Sequence, residues 1–535
     1  MMKVVLYILF AVICWGSLFF DTQYINDSPI VPRMLWAEIG ACIFALLFML
    51  FAFLKKGNRL NPKVMYAILL IFAFEQACYG VLQFCGLVNS VSYFRVVGNF
   101  DNPAGLSVCL CCCLPFCYPV FIHSNSFKRY LSIFVFCVLI IANFMTQSQA
   151  GMLSMLFVCV CMVSERIKIK SWCLLAIFSI VIGLGYLYKK DSANGRLLIW
   201  RCSLEMVKEK PITGWGPNAF RTNYMNYQAS FLKNNPNHSF ALLADNVKHP
   251  FNEYLNIILM GGFLGFALFL AFLSFMFFCY YRSRSSVIAK TALWSMVGIC
   301  IFAFFSYPSR YPFIWIVFII DCIILISQAN FRICLNNTVK AIALIIAVPL
   351  VCYCLFNRIS EASFQCKWKE ISDKAISGKY ENVFCEYDGL STQGMSNPYF
   401  LYNYAAELFF ANRFENSLMI LLQCKDILAD YELEMLLGET YSDLGQSSNA
   451  INHYQNASYM CPSRLEPLYK IFQIRKDVDS TKEVIDLAQS ILSRKTKFIS
   501  RETSDMRMEL KRYILIHQRT SKKVLTNSIK PMDKE

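Results

Sequence analysis

The sequence predicts an all-α, polytopic membrane protein with about eleven transmembrane helices, followed by a C-terminal α-helical domain. Of its 535 residues, 56 % are hydrophobic and only 16 % are charged, which is not the composition of a soluble protein. Apolar runs long enough to cross roughly 30 Å of hydrocarbon recur through residues 1–356. From residue 357 onward apolar density falls and charge rises, so the tail is expected to fold outside the bilayer.

The apolar runs place the individual spans, with boundaries that are loose by several residues. They predict spans at 3–20, 33–54, 64–87, 103–122, 130–146, 149–163, 171–188, 254–281, 291–306, 312–328 and 339–356. The fifth and sixth must share residues 130–163 at roughly 17 residues each, which is the lower limit for a helix normal to the bilayer. Treating that pair as a re-entrant hairpin would leave the sidedness of the other spans unchanged.

Lysine and arginine in the short connections predict the topology. One set of connections carries 15 of these cations, and the alternate set carries only Arg33, Arg95 and Arg310. The amino terminus is therefore expected in the cytoplasm, and an odd number of spans places the carboxyl terminus outside. Because this asymmetry accounts for the net charge of +15, nucleic acid is not needed as a partner.

The predicted division is a transmembrane domain over residues 1–356, with a large periplasmic loop at 189–253, and a periplasmic domain over 357–535. Most of the 24 cysteines lie inside predicted spans, where cysteine is a small apolar residue. We expect no metal site at the cysteine-rich stretch, because no histidine or carboxylate shares it. Whether Cys366 and Cys385 pair is left open.

The tail contains a helical repeat. Eight positions have the spacing of a tetratricopeptide unit: Leu437, Gly438, Tyr441, Gly445, Ala450, Tyr454, Ala457 and Pro462. A degenerate copy lies 33 residues earlier, from Tyr404 to Cys424, and a third pair of helices is expected over 466–495. Such a solenoid offers a docking surface for a protein or glycan, with a passive cap on the membrane domain as the alternative.

The large loop carries the candidate chemistry. Asn194 and Gly195 predict a helix start, and a helical face is expected through Leu197, Trp200, Leu204 and Val207, with Arg201, Glu205 and Lys208 turned away. Pro211 ends this helix, and a glycine-rich turn follows. His249 and Asn252 precede the eighth span, where Gly261, Gly262 and Gly265 are expected to permit close helix packing.

Several of these segments together resemble one family. They are Phe100-Asp101-Asn102-Pro103-Ala104-Gly105, Gly195-Arg196-Leu197-Leu198-Ile199-Trp200, Pro211-Ile212-Thr213-Gly214-Trp215-Gly216 with Phe220, Asn252-Glu253-Tyr254-Leu255 and Gly262-Phe263-Leu264-Gly265. The combination resembles the O-antigen ligase and polymerase superfamily, which includes bacterial protein O-oligosaccharyltransferases. The resemblance covers roughly residues 95–330.

This resemblance implies transfer of a glycan from undecaprenyl diphosphate to an acceptor hydroxyl at the periplasmic face, with neither a metal nor another cofactor. Arg196 matches the arginine thought to hold the donor diphosphate, and a guanidinium can grip phosphate oxygens with two parallel hydrogen bonds. The alternative for Arg196 is a cation that snorkels at a helix end. Trp200, Arg201, Arg221 and Asn252 are further substrate-binding candidates, and a solvated side chain is the alternative for both arginines.

At two places the sequence departs from the family pattern. The family has His-Asn before the glycine-rich span, whereas Phe251 precedes Asn252 here and the nearest histidine is His249. His249 is the candidate general base, with a surface histidine as the alternative. The family's Ser-Arg between the fifth and sixth spans appears as Ser148-Gln149, so that Gln147 or Gln149 offers only neutral hydrogen bonds.

The leading predicted function is an O-antigen ligase of the bacterial inner membrane that joins a lipid-linked glycan to a lipid A core sugar. A protein O-oligosaccharyltransferase acting on Ser or Thr and a repeat polymerase are alternatives within the same chemistry. A non-catalytic scaffold or exporter is the alternative from another class. The expected partners are the lipid-linked donor, a lipid A core or protein acceptor, and membrane lipids. Glu38, Glu75 and Asp321 fall inside spans, where they either line a donor groove or join helices.

Overall fold

The protein is described from a computed structural model, which covers residues 2–26, 29–54, 60–90, 92–165, 183, 189–331, 337–378, 380, 382–497 and 500–527. Within these residues all regular secondary structure is helical. The first helices are α1 Met2–Phe19, α2 Ile30–Leu54, α3 Pro62–Phe84, α4 Pro103–Cys113, α5 Cys117–His123, α6 Ser126–Met145, α7 Gln149–Ser164, α8 Lys190–Glu209 and α9 Ala219–Asn234. The next are α10 Glu253–Arg282, α11 Val287–Phe305, α12 Pro312–Gln328, α13 Asn337–Ile376, α14 Val383–Gly394, α15 Pro398–Phe410 and α16 Phe414–Ile427. The last are α17 Tyr431–Asp443, α18 Ser447–Met460, α19 Glu466–Arg475, α20 Thr481–Ser493 and α21 Arg501–Asn527.

The chain divides into two compact units. The first consists of Met1–Lys189, Phe251–Ile257 and Phe263–Asp373, and the second of Lys190–Pro250, Ile258–Gly262 and Lys374–Glu535. The large loop therefore groups with the tail rather than with the transmembrane helices, which differs from the division expected from the sequence. We call these the membrane unit and the loop–tail unit.

The membrane unit confirms a polytopic membrane protein. Eight helices of the described chain are long and apolar enough to cross a bilayer, and α7 and α12 are shorter apolar helices. Nine of these ten match predicted spans within a few residues, and the tenth, α13, includes the span predicted at 339–356. The remaining predicted span, 171–188, lies outside the described residues except for Gly183. Gln149–Ser164 has 16 residues, close to the short length expected for the sixth span.

The stretch from α4 to α5 forms the centre of the membrane unit. Over Pro103–His123, 78 % of the apolar window is buried, and a 3₁₀ turn at Leu114–Phe116 interrupts the helix where Pro115 removes a backbone donor. Its cysteines are fully or almost fully buried among apolar side chains. All 22 cysteines that the structure describes, including Cys366 and Cys385, have free thiols.

The helices α10 and α13 expose most of their apolar side chains, since only 11 % and 0 % of their apolar windows are buried. In a bilayer such surfaces face lipid. The helix that contains the last predicted span extends well beyond it: α13 has 40 residues, about 60 Å at 1.5 Å per residue, or twice the roughly 30 Å of hydrocarbon. The chain therefore passes the boundary predicted at residue 357 without a break in the helix, which continues to Ile376.

The intramembrane acids have different surroundings. Asp321 on α12 is fully buried and accepts a 2.9 Å hydrogen bond from the Tyr66 hydroxyl on α3. Glu38 lies 3.4 Å from Arg358 of α13. Asp321 and Glu38 thus join helices, whereas Glu75 on α3 is exposed on the surface of the described chain.

The tail part of the loop–tail unit is built of helical hairpins. The pairs are α15 with α16 and α17 with α18, followed by α19 and α20, which lie where the third pair was expected. Gly438 lets two helices meet, since a Cβ there would lie 2.5 Å from the Tyr454 ring. Gly445 and Asn412, 33 residues apart, both end helices with positive φ angles of 72° and 58°. The assignment of these hairpins to the tetratricopeptide class stays a prediction.

Candidate functional site

The candidate site residues fall in both units, and the loop helix α8 carries most of them. Its helix begins at Lys190, four residues before the start predicted at Asn194. Two leucines of the expected apolar face, Leu197 and Leu204, are exposed in the structure. The residues that the helix buries against the protein are Leu198, Ile199, Cys202, Ser203, Met206 and Val207. Arg196 is half-buried, whereas Arg201, Glu205 and Lys208 are exposed, as the sequence predicted.

Trp200 fixes α8 to the segment that ends the loop. Its indole Nε1 donates a 3.0 Å hydrogen bond to the carbonyl of Pro250. Arg196 lies four residues earlier in the same helix, so the two side chains project from one face, one turn apart. His249 precedes Pro250 in the chain and is half-buried. The Trp200 bond therefore places the helix face of Arg196 near the backbone of the predicted general base.

The glycine-rich turn packs into a break in α10. Gly262 has φ 62° and ψ −165° inside that helix, which frees the preceding carbonyls from the helical pattern. The backbone N–H groups of Trp215 and Gly216 donate to the carbonyls of Leu259 and Met260 at 2.8 and 3.0 Å. A Cβ on Gly214 would lie 2.6 Å from the Gly262 nitrogen. The predicted role of this stretch in helix packing is thus corrected: Gly262 receives loop backbone instead of another helix.

The other loop arginines contact aromatic rings. The guanidinium of Arg201 lies 4.6 Å from the centre of the Phe231 ring, a distance at which cation–π attraction operates. Arg221 lies 5.8 Å from the Tyr399 ring of α15, and the Lys248 ammonium lies 5.1 Å from the same ring. Both arginines therefore have structural contacts, and their predicted role in substrate binding stays a prediction.

Helix α9 is held to the tail by a buried amide. Gln228, 1 % exposed, donates from Nε2 to the carbonyls of Met460 at 2.7 Å and Asp245 at 3.0 Å. Its Oε1 accepts a 2.7 Å hydrogen bond from the Tyr224 hydroxyl. Since Met460 ends α18, this one side chain links the loop helix, the end of the loop and the tail.

Charged groups extend the same contact. Asp245 lies 3.2 Å from Arg464 and 3.4 Å from Lys497. Partial burial alone would raise the pKa of Asp245, but the backbone N–H of Asn246 and the two cations outweigh it and hold that pKa below its usual range. The Asn246 amide also donates to Asp430 at 3.0 Å. The loop and the tail thus share a network of polar contacts inside one compact unit.

Asn252 and Phe251 belong to the membrane unit. The Asn252 side chain is 8 % exposed and caps α10 by accepting a 3.0 Å hydrogen bond from the Leu255 N–H. Phe251 has a φ of 52°, and its ring lies edge-on to Tyr307 at 5.2 Å. In a fully extended segment, the side chains of residues 249 and 251 would point to the same side. The positive φ at Phe251 interrupts such a path.

The turn between α6 and α7 holds the predicted glutamines. Gln147 is exposed with φ 54°, and Gln149 begins α7 after the cap provided by Ser148. The Lys189 ammonium donates to the Gln147 carbonyl at 3.0 Å. A cation from a distant part of the sequence thus stands at the turn where the family's arginine is missing.

One charged cluster in the membrane unit was missed from the sequence. Arg310 lies 3.2 Å from Asp101, which also accepts a 3.1 Å hydrogen bond from the Tyr311 hydroxyl. Asn102 caps α4 by accepting from the Ala104 N–H, and Pro103 follows at the first helical position. In the sequence, this cluster is marked only by Arg310, which is one of three cations in the cation-poor set of short connections.

The described residues contain no group of three or more His, Cys, Asp or Glu side chains placed to hold a metal ion. No curated protein matches the sequence. Residues 133–270 match the family model described as O-Antigen ligase, and this segment includes α8, the glycine turn, His249 and the break at Gly262. This match supports the O-antigen ligase superfamily for residues 133–270 of the chain.

Proposed function

We propose that the protein transfers a glycan from an undecaprenyl-diphosphate carrier to a lipid A core sugar. The observation that carries this proposal is the O-Antigen ligase match over residues 133–270, because Arg196 and His249 both lie within it. The hydrogen bond from Trp200 to the Pro250 carbonyl supports their joint action, since it links the two parts of the loop that carry them.

The proposed step is a displacement at the anomeric carbon of the donor sugar. The acceptor oxygen bonds to that carbon while the bond to the diphosphate oxygen breaks, and the electron pair leaves with the lipid diphosphate. Arg196 stabilises the charge on this leaving group, because its guanidinium can form two parallel hydrogen bonds to phosphate oxygens. His249 takes the acceptor proton as general base.

We place the chain in the bacterial inner membrane, with the amino terminus in the cytoplasm and the loop and tail in the periplasm. The lysine and arginine asymmetry of the short connections supports this topology. The grouping of the loop with the tail in one compact unit supports it independently, because both segments must then lie on the same side of the bilayer.

Arg196→Ala tests the donor role. We expect glycan transfer in membrane vesicles supplied with undecaprenyl-diphosphate-linked glycan to fall at least about a hundredfold. Arg196→Lys should recover little, since an ammonium cannot reproduce the bidentate grip. Lys208→Ala is the matched control, because it removes a cation from the same helix, where Lys208 pairs with Glu205 at the surface. Wild-type transfer by the alanine variant would refute the assignment.

The acceptor is identified by a different measurement. In a strain that lacks this protein, loss of the polysaccharide from lipopolysaccharide supports the lipid A core acceptor. Loss of glycan from periplasmic proteins, with lipopolysaccharide unchanged, would instead assign a Ser or Thr acceptor. A shortened polysaccharide on an otherwise normal core would assign repeat polymerisation.

A further inference from the structure

A groove lies between the loop helix α9 and the tail helix α18, within the loop–tail unit. Its volume is about 380 Å³, within the range of roughly 300–1,000 Å³ that small-molecule sites occupy. The side chains that line it are mostly uncharged and polar. They include Asn226 and Ser230 from α9 and Asn452, Gln455, Asn456 and Tyr459 from α18.

The sequence places these side chains in two stripes. On α18 the residues Asn452, Gln455, Asn456 and Tyr459 follow the i, i+3, i+4, i+7 spacing of one helix face. On α9 the same spacing relates Asn226, Ala229, Ser230 and Lys233. Two helices more than 200 residues apart in the chain therefore present amides and hydroxyls to one space.

These polar groups are available to a ligand. Throughout the described part of the chain, no intramolecular hydrogen bond engages the side chains of Asn226, Ser230, Asn452, Gln455 or Asn456. An amide side chain both donates and accepts, which matches a ligand whose hydroxyl groups also do both. Tyr459 adds a ring that can stack on an apolar face and a hydroxyl that can bond at its edge.

The lining distinguishes among ligand classes. Among the described residues of the lining, Lys233 is the one cation, 5.6 Å from the Tyr459 ring, whereas a nucleic acid groove needs several phosphate-neutralising cations. A protein interface needs an apolar core with aromatic or aliphatic anchors, but the described lining has Ala229 as its one aliphatic residue. A chain of sugars carries many hydroxyls, few charges and weakly apolar ring faces.

We infer that this groove binds a neutral oligosaccharide. The choice of a glycan rests on the proposed function, because a glycan transferase meets oligosaccharide as donor and product. The groove would hold sugars of the transferred chain away from the reacting bond, so that Asn452, Gln455 and Asn456 contribute to affinity and not to the chemical step.

The test measures binding directly. The probe is the free oligosaccharide released by mild acid from the lipid-linked glycans of the producing cells. It is titrated calorimetrically into the full-length protein in a detergent without sugar groups. We expect saturable binding, and an increase in Kd of at least about tenfold in Asn452→Ala/Gln455→Ala/Asn456→Ala, because three hydrogen-bonding groups are lost. Tyr459→Phe should bind more tightly than Tyr459→Ala, since only phenylalanine keeps the stacking ring.

Ser448→Ala/Asn449→Ala is the matched control. Both residues are exposed on α18 outside the groove, and the double variant should bind as the wild type does. Unchanged thermal unfolding of the triple variant shows that it is folded. No binding by the wild type, or equal binding by the triple variant, would overturn the inference. So would binding of an unglycosylated periplasmic protein in place of the oligosaccharide.

Transfer assays separate this inference from the proposed function. A wild-type protein that binds the oligosaccharide but transfers no glycan would leave the groove assignment standing and remove the catalytic one. A protein that transfers glycan normally without binding the free oligosaccharide would remove the groove assignment alone.

Discussion

The two compact units join their helices by different chemistry. In the membrane unit, glycines allow close approach: a Cβ on Gly105 would lie 2.7 Å from Phe100, and one on Gly298 would lie 2.9 Å from Val158. In the loop–tail unit, the loop is tied to the tail by the amide of Gln228 on α9 and by the carboxylate of Asp245. We attribute this difference to the surroundings of each unit: the membrane unit is expected to lie in lipid and the loop–tail unit in water.

Lipid gives no hydrophobic drive for helices to associate, so small residues and tight packing must supply the attraction. In water, apolar burial supplies it, and buried hydrogen bonds decide which of several compact arrangements forms. We therefore expect single substitutions in the loop–tail unit to destabilise it most where they displace backbone. The loss should be smaller where they leave buried polar groups without a partner, and smallest where they remove one charge.

The largest effect is expected at the glycine turn. Gly214→Val places a β-branched residue at φ 69° and against the backbone of Gly262, neither of which side-chain rotation can relieve. We expect a loss of roughly 2–5 kcal/mol, measured as a lower midpoint of thermal unfolding in detergent. Gly389→Ala is the control, because it sits in α14 with no atom within 4 Å of an added Cβ and should be neutral or slightly stabilising. Equal midpoints for both variants would contradict the prediction.

A smaller effect is expected at Gln228. Gln228→Ala leaves two carbonyls and the Tyr224 hydroxyl without this partner, which should destabilise the protein by about 2–3 kcal/mol. Limited proteolysis should then cleave residues 219–250 faster. Gln446→Ala changes an exposed glutamine and should leave both measurements unchanged. If the two variants behave alike, the Gln228 contacts do not hold the loop to the tail.

The smallest of the three effects concerns Glu434, 2 % exposed on α17. Burial alone would raise its pKa, but the hydrogen bond from His453 and the charge of Lys425 hold that pKa below its usual range. Glu434→Gln keeps the shape and removes the charge, so we expect a loss of about 1–2 kcal/mol near neutral pH. Glu432→Gln is the control, because its pair with Arg464 is half-exposed and such pairs contribute little.

The pH dependence of this effect has a definite sign. Since the pKa of Glu434 is lower in the folded chain, its contribution is complete above the unfolded value, about 4.3, and is lost as the pH falls through the folded value. The thermal midpoints of the wild type and Glu434→Gln should therefore converge in that acid range. A difference that stays constant down to acidic pH would show that the carboxylate charge is not the cause.

The spans were predictable because bilayer thickness sets the length of an apolar run, and ten of them lie where hydropathy placed them. The protein contacts of α8 could not be predicted in this way. Leu197 and Leu204 share the apolar face expected from the sequence and are exposed, whereas Cys202 and Ser203 are buried against the protein. Periodicity shows that a helix has a face, but neighbours distant in the chain decide which residues form it.

Sequence periodicity could not predict the long-range contacts of the candidate site, because it describes only neighbours within one helix. Asp101 and Arg310 are separated by more than 200 residues, and Gly214 and Gly262 by 48. The clustering of glycines marks both segments as unusual in the sequence, but only the folded chain brings the turn into the break in α10. Asn252 was proposed for substrate binding, and its observed hydrogen bond caps a helix.

The positive φ of Phe251 also constrains how this part of the chain can change during evolution. A left-handed backbone disfavours bulky side chains, whereas asparagine, aspartate and histidine adopt it several-fold more readily than other residues apart from glycine. Substitution by one of those three should relieve backbone strain, and a valine or isoleucine should increase it. The left-handed backbone therefore limits which residues are favourable after Pro250. Histidine, the residue that the family usually has there, adopts this conformation more readily than the phenylalanine of this chain.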